Sequence, residues 1–86
     1  MSKSSYFTYI VLCADNTLYT GIATDLKRRI EEHNFSDKGA KYTKARRPVK
    51  LVYSEKHPDR SSASKREFYI KKMCRKEKNL LINIEL

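Results

Sequence analysis

This sequence predicts a small α/β (α+β) domain: a three-stranded antiparallel sheet flanked by helices, in the order ββαβα with a short C-terminal helix. Three observations carry that expectation. Two β-branched and aromatic runs are joined by turn residues near the start, a helical period follows them directly, and one further strand and helix come after with no repeat or linker between. A chain of 86 residues suffices for one modest core, so residues 1–86 are expected to form a single domain.

Tyr6 to Cys13 is apolar on both alternate sets, Tyr6, Thr8, Ile10 and Leu12 against Phe7, Tyr9, Val11 and Cys13, as in a strand covered on both faces and internal to its sheet. Asp15-Asn16 is turn chemistry, and Thr17 to Ile22 returns as the antiparallel partner. A two-residue loop would pair Leu12 with Tyr19 and send Tyr9 and Tyr19 to opposite faces, whereas a three-residue loop would pair Val11 with Tyr19 and bring both tyrosines to one face. Thr24 is suited to cap a helix running to about Asn34, with Asp25 in its first turn. Leu26, Arg29, Ile30 and His33 share one face of that helix, while Arg28 with Glu32 and Lys27 with Glu31 read as ordinary surface pairs.

Phe35 to Arg47 is polar and basic and holds the second of only two glycines, which predicts an ordered but irregular loop. Pro48 then opens a strand from Val49 to Glu55, with Val49, Leu51 and Tyr53 on one side. His57-Pro58-Asp59 is a turn to which no role is assigned. Ser61 or Ser62 caps a second helix to about Cys74, and Lys76 to Ile82 forms the terminal one. On the second helix Ala63, Ile70 and Cys74 align in an apolar stripe with Glu67 at its margin. A carboxylate satisfied there by Arg66 explains that spacing without any function, and on spacing alone this structural reading comes first.

Nineteen Lys and Arg against ten Asp and Glu give a formal net charge of +9, which points to a polyanionic partner. Lys38, Lys41, Lys44, Arg46, Arg47 and Lys50 follow one another with no acid among them, interleaved with Gly39, Tyr42 and Thr43, and that mixture suits contact with nucleic-acid phosphates. A solvated basic face would have the same composition, and Tyr42 either meets a base or phosphate or is buried under the loop. Cys13 and Cys74 sit in apolar segments and read as buried free thiols in a reducing cytoplasm. The apolar run from Tyr6 to Ala14 is too short and too polar for a secretory signal, and no stretch has the length of about 20 apolar residues that spans a bilayer.

A phenol pair, a guanidinium and an imidazole on one patch are groups that activate water and neutralise a phosphate, given a metal ligand from elsewhere. With Tyr9 in Phe7-Thr8-Tyr9, Tyr19 in Tyr19-Thr20-Gly21, Arg29, His33, and the helix Arg66-Glu67-Phe68-Tyr69-Ile70-Lys71-Lys72, the chain resembles the GIY-YIG nuclease family from about Tyr6 to Lys78. The segments Gly39-Ala40-Lys41-Tyr42-Thr43, Arg47-Pro48 and Leu51-Val52-Tyr53-Ser54-Glu55 look most like its small stand-alone bacterial members. Two departures stand out: the first motif holds Phe7 and Thr8 where the family has glycine and isoleucine, and the second holds Thr20 for isoleucine.

The resemblance implies a metal-dependent endonuclease acting on phosphodiester bonds of DNA, RNA being the other candidate, with branched or damaged DNA in repair or recombination as its setting. It assigns Glu67 as the sole protein ligand of Mg²⁺ or Mn²⁺, Arg29 to the scissile phosphate, Tyr19 as general base, Tyr9 to position the water or phosphate, and His33 as proton relay or phosphate contact. Lys71 and Lys72 would belong to the DNA-facing rim beside Lys38, Lys41, Tyr42, Lys44, Arg46 and Arg47. The main alternative is a basic nucleic-acid-binding module of the same fold that cuts nothing. A chain this short has little room for a specificity element, which implies structure-led selectivity or a partner protein that supplies it.

Overall fold

The opening hairpin is built on a three-residue loop. In the computed structural model, which describes residues 5–36 and 38–84, β1 spans Tyr6–Leu12 and β2 spans Leu18–Ala23. The Cys13 N–H donates to the Thr17 carbonyl at 2.8 Å and closes the loop over Ala14, Asp15 and Asn16. Asn16 sits at φ 71°, in the left-handed region that asparagine enters more readily than most residues. The Asp15 carboxylate fixes the turn by accepting from both the N–H and the hydroxyl of Thr17. The resulting register pairs Val11 with Tyr19 and Tyr9 with Gly21, so the two tyrosines share a face.

Lys50–His57 forms β3, antiparallel to the other edge of β1, and the sheet order is β2-β1-β3. The doubly apolar strand is thus the central one, as its composition predicts. Pairing with β3 shifts between Ile10 and Val11, where Ile10 meets Tyr53 but Val11 meets Leu51. This bulge corrects the expectation that Val49, Leu51 and Tyr53 share a side: Val49 packs with Tyr9 and Val11, Tyr53 with Ile10, and Leu51 is exposed.

Helix α1 spans Leu26–Phe35 and is capped by Asp25, whose carboxylate accepts from the Arg28 N–H at 3.1 Å, one residue later than the Thr24 cap expected. The expected irregular loop contains a single helical turn, α2, over Lys41–Lys44. Helix α3 spans Arg60–Lys72 under an Asp59 cap that accepts from the Ser62 N–H at 2.8 Å, so Ser61 and Ser62 lie inside its first turn. Because α3 ends at Lys72, Cys74 leaves the apolar stripe and is exposed, contrary to the expected buried thiol, while Cys13 is buried. The Cys74 N–H instead bonds the Glu77 carboxylate at 3.1 Å, and that reach-back opens α4, Arg75–Ile84. No helix among the described residues is long and apolar enough to cross a membrane.

The sheet is covered on both faces. Tyr9, Val11, Cys13 and Val49 are buried on one face with Tyr19, Ala23, Leu26 and Ile30 packed against them, which places α1 there. Ile10, Tyr53 and Ile70 are buried on the other with Leu18, Val52, Met73, Leu81 and Ile82, which places α3 and α4 there. Thr8 joins this second face and donates to the Ala63 carbonyl at 2.9 Å, a buried bond from strand to helix. Thr20, opposite Ile10, is 3% exposed and its hydroxyl has no partner among the described residues.

An orphaned hydroxyl in an apolar contact costs free energy that an isosteric methyl does not. Thr20→Val is therefore expected to stabilise the chain by about 1 kcal/mol and to raise its melting temperature by several degrees in thermal denaturation. A lower melting temperature would mean that the hydroxyl is satisfied.

Candidate active site

His33 is fully buried in the last turns of α1, between the sheet and the loop that carries α2. Its Nε2 lies 2.7 Å from the Tyr9 hydroxyl and its Nδ1 lies 2.7 Å from Thr43 Oγ1. The direction of each bond follows from counting protons. Thr43 Oγ1 has one hydrogen and gives it to the Ala40 carbonyl at 2.9 Å, so toward His33 it accepts and Nδ1 must be the protonated nitrogen. A neutral ring then presents a bare Nε2, and the Tyr9 O–H donates to it. Burial first, and then the Arg29 and Arg47 guanidiniums, push the imidazole down to about 4, which keeps the ring neutral at physiological pH.

Burial likewise pushes the Tyr9 hydroxyl up to about 12, against the opposing pull of the Arg29 guanidinium beside it. The Glu67 carboxylate adds a smaller push in the same direction, from α3 on the opposite face of the sheet. The Glu67 carboxylate is ion-paired with Lys71 at 3.0 Å, while Arg66, its expected partner, bonds Glu55 instead. Glu55 also accepts from Tyr53 and contacts His57, which absorbs a histidine for which the sequence offered no partner. Arg29 Nη1 donates to Glu32 at 3.0 Å and to the Lys38 carbonyl at 2.9 Å, so this arginine also fastens the loop.

Tyr19 is half-buried, with its ring edge-on to His33 at 5.4 Å and stacked on Tyr42 at 5.8 Å and 22°. The Tyr19 hydroxyl has no hydrogen-bond partner among the described residues. Tyr42, 38% exposed, carries the Arg46 guanidinium 3.9 Å above its ring, and Arg46 in turn pairs with Asp15 of the hairpin loop at 2.9 Å. The tiers Arg46, Tyr42 and Tyr19 therefore form a wall that fixes the Tyr19 ring. Arg47 points elsewhere. Its guanidinium donates to the carbonyls of His33 and Ser36 at the end of the helix, and to that of Glu32, which also accepts the Ser36 N–H. Lys38, Lys41 and Lys44 are exposed on the loop, and Lys71 and Lys72 are exposed on α3.

Two glycines make the geometry possible. A Cβ on Gly21 would lie 2.6 Å from the Tyr9 hydroxyl and 3.3 Å from the Tyr19 ring, so the second motif's glycine leaves room for the Tyr9 phenol to lie across β2. A Cβ on Gly39 would lie 2.6 Å from the Glu32 carbonyl, so the loop packs directly on the backbone of α1. Asn34 completes the seam by exchanging two hydrogen bonds with the backbone of Val49. Sequence reasoning missed Thr43 as the second partner of His33. The available signal was that a core-facing histidine needs a partner for each ring nitrogen.

Because the folded His33 titrates near 4 and an unfolded histidine near about 6.5, the unfolded chain binds a proton in that window that the folded chain refuses. Stability is therefore lost as pH falls from about 6.5 toward 4, at up to about 1.4 kcal/mol per pH unit from this residue. The melting temperature of His33→Gln is expected to fall less steeply than that of the parent chain across this window. Equal slopes would show that the imidazole is not held neutral.

A model of the GIY-YIG catalytic domain matches residues 5–80. The UPF0213 protein DP2720 of Desulfotalea psychrophila is 58% identical over 80 residues, covering 93% of this chain and 73% of that protein, and a UPF0213 protein of Staphylococcus aureus is 54% identical over 78 residues, covering 91% and 94%. Two solution NMR structures share the fold at 39% identity. One is the UPF0213 protein BH0048 from Bacillus halodurans, with TM-score 0.60 over 93% of this chain and 84% of that one. The other is the protein EF2693 from E. faecalis, with TM-score 0.64 over 96% and 88%. With the two motif tyrosines, Gly21 and His33 meeting in one site and the domain matched along nearly its whole length, the chain belongs to the GIY-YIG family, beside its small bacterial UPF0213 members.

Proposed function

We propose that this protein is a metal-dependent endonuclease that hydrolyses phosphodiester bonds in DNA, with branched or damaged DNA in repair or recombination as its setting. The observation that carries the reading is the meeting of Tyr9, Tyr19 and His33 on one sheet face, with Arg29 beside Tyr9. Tyr19 takes the proton of the attacking water. Tyr9, whose own proton is committed to His33 Nε2, offers its oxygen as an acceptor that orients that water. His33 holds Tyr9 in this state; with both nitrogens engaged it is poorly placed to contact phosphate itself. Arg29 meets the negative charge that develops on the scissile phosphate.

Among the described residues no group of three or more His, Cys, Asp and Glu forms a metal cage. One carboxylate with hard oxygen donors still suits Mg²⁺ or Mn²⁺, which keep most of their water and share substrate phosphate, so Glu67 fits as the single protein ligand. The chemistry that such an ion supplies when bound is charge neutralisation on the phosphoryl oxygens. Lys38, Lys41, Lys44, Lys71 and Lys72, with the exposed edge of Tyr42 and Arg46, would track the nucleic-acid backbone, and a partner protein would add the specificity that this small domain lacks. The rival reading, a basic module that binds without cutting, draws support from the Lys71 ammonium on the Glu67 carboxylate, where an ion pair stands in the cation's place.

With Mg²⁺ or Mn²⁺ and a panel of single-stranded, duplex, flap and branched DNA and RNA, Glu67→Ala and Tyr19→Phe are each expected to lower cleavage at least about 100-fold while binding persists. Cleavage that survives Glu67→Ala would sink the assigned mechanism. Absence of cleavage in the parent chain, with binding that falls steeply with salt and ignores EDTA, would establish the non-catalytic module.

A further inference from the structure

Two aromatic rings stand in the open on α3 with no role in the fold or in the site. Phe68 is 59% exposed and Tyr69 is 64% exposed, the rings meet edge to face at 6.3 Å and 68°, and with Ser64 and Lys65 they line an open concavity of about 480 Å³. Side chains three and four residues apart are neighbours on a helix, so Phe68 has Lys65, Lys71 and Lys72 around it, and Tyr69 has Lys65 and Lys72. The Lys72 ammonium already lies 4.6 Å from the centre of the Phe68 ring. Glu67, ion-paired with Lys71, directly precedes Phe68 on the helix, so the strip adjoins the proposed metal ligand.

We propose that this strip is a stacking platform for an unpaired segment of the nucleic-acid strand, with bases on Phe68 and Tyr69 and phosphates on Lys65, Lys71 and Lys72. The inference rests on the reading of the protein as one that acts on nucleic acid, and it adds the substrate class: a strand with unstacked bases next to the cleavage point. The charge selects a polyanion, and the rings select among polyanions. A duplex hides the faces of its bases, so rings projecting from a convex helix meet only its phosphates, whereas an unpaired strand offers a base face to each ring regardless of sequence. A second copy of the chain is disfavoured as the occupant, because lysines on both partners would be brought together.

The test is fluorescence anisotropy of a labelled oligothymidylate of about 12 nucleotides, beside a duplex and an oligouridylate of the same length, with the full chain in EDTA so that nothing is cut. The double variant Phe68→Ala, Tyr69→Ala is expected to bind the single strand at least about 30-fold more weakly while duplex affinity changes less than about twofold. The double variant Phe68→Tyr, Tyr69→Phe keeps both rings and is expected to bind as the parent does, which separates stacking from any effect on folding. Unchanged oligothymidylate affinity in the alanine variant overturns the proposal. So does a dimer in sedimentation velocity that the alanine variant dissolves, since the rings then face another copy. Glu67-dependent cleavage with unchanged single-strand affinity removes the strip and keeps the nuclease, whereas ring-dependent binding without cleavage keeps the strip and removes the nuclease.

Discussion

The constraint on which the rest of this structure depends is that a fully buried imidazole must satisfy both of its ring nitrogens. Tyr9 meets one and Thr43 the other, and these residues lie on opposite sides of α1 in the chain, one in the central strand and one in the loop beyond the helix. A single ring thus ties the sheet, the helix and the loop together. The two bonds also set directions: protons point from Tyr9 to His33, from His33 to Thr43, and from Thr43 to the Ala40 carbonyl. Reversing any of them would leave a buried lone pair or N–H unmatched, at a cost of about 1 to 3 kcal/mol. The order of the site is therefore maintained by satisfied polar bonds as much as by apolar packing.

The loop from Ser36 to Val49 shows what that constraint requires of a polar, basic sequence. It cannot bury an apolar face, so it is held by Arg47 on the last carbonyls of α1, by Asn34 on the backbone of Val49, by Arg29 on the Lys38 carbonyl, and by a glycine where it touches the helix. Basic residues here divide by geometry. Arg47 and Arg29 put guanidinium hydrogens into the scaffold, Arg46 braces Tyr42, and the lysines of the same stretch stay exposed. A run of like charges that looks uniform in sequence thus serves framework and surface in alternation. Arg29 belongs to both, since it fastens the loop and also lies against Tyr9.

The order of elements was legible because each has its own period: alternate apolar sets mark β1, and Leu26, Ile30 and His33 recur once per turn on α1. Register was not. Loops of two or three residues both suit Asp15 and Asn16, and the choice shows only where the Cys13 N–H closes on the Thr17 carbonyl and takes Ala14 into the loop. The bulge that turns Val49 and Tyr53 to opposite faces depends on how β3 meets β1 and has no local signature. The helical turn at Lys41–Lys44 is too short to show a period, and both caps fell on aspartates beside the Thr and Ser residues expected. At the site, Arg29 and His33 share a helix face that spacing shows and Tyr9 and Tyr19 follow from the family resemblance, whereas Thr43 was missed, because its partner lies 10 residues away across a turn of chain that only the fold closes.

The two threonines that replace motif isoleucines illustrate how far strand-packing positions can drift and where drift carries a cost. Thr8 and Thr20 both face α3 and both are buried. Thr8 is satisfied, since its hydroxyl reaches the Ala63 carbonyl and thereby pins α3 to the central strand. Tyr9 is the next residue along β1 and points to the other face, while Glu67 stands one turn beyond Ala63 on α3. A bond made by a polar substitution in a packing position therefore fixes where α3, and with it Glu67, sits along the strand that carries Tyr9. Thr20 has no such carbonyl within reach and leaves its hydroxyl unpaired. The same substitution in the same layer is structural in one strand and a local weakness in the next, and the difference lies in whether a helix carbonyl stands above it.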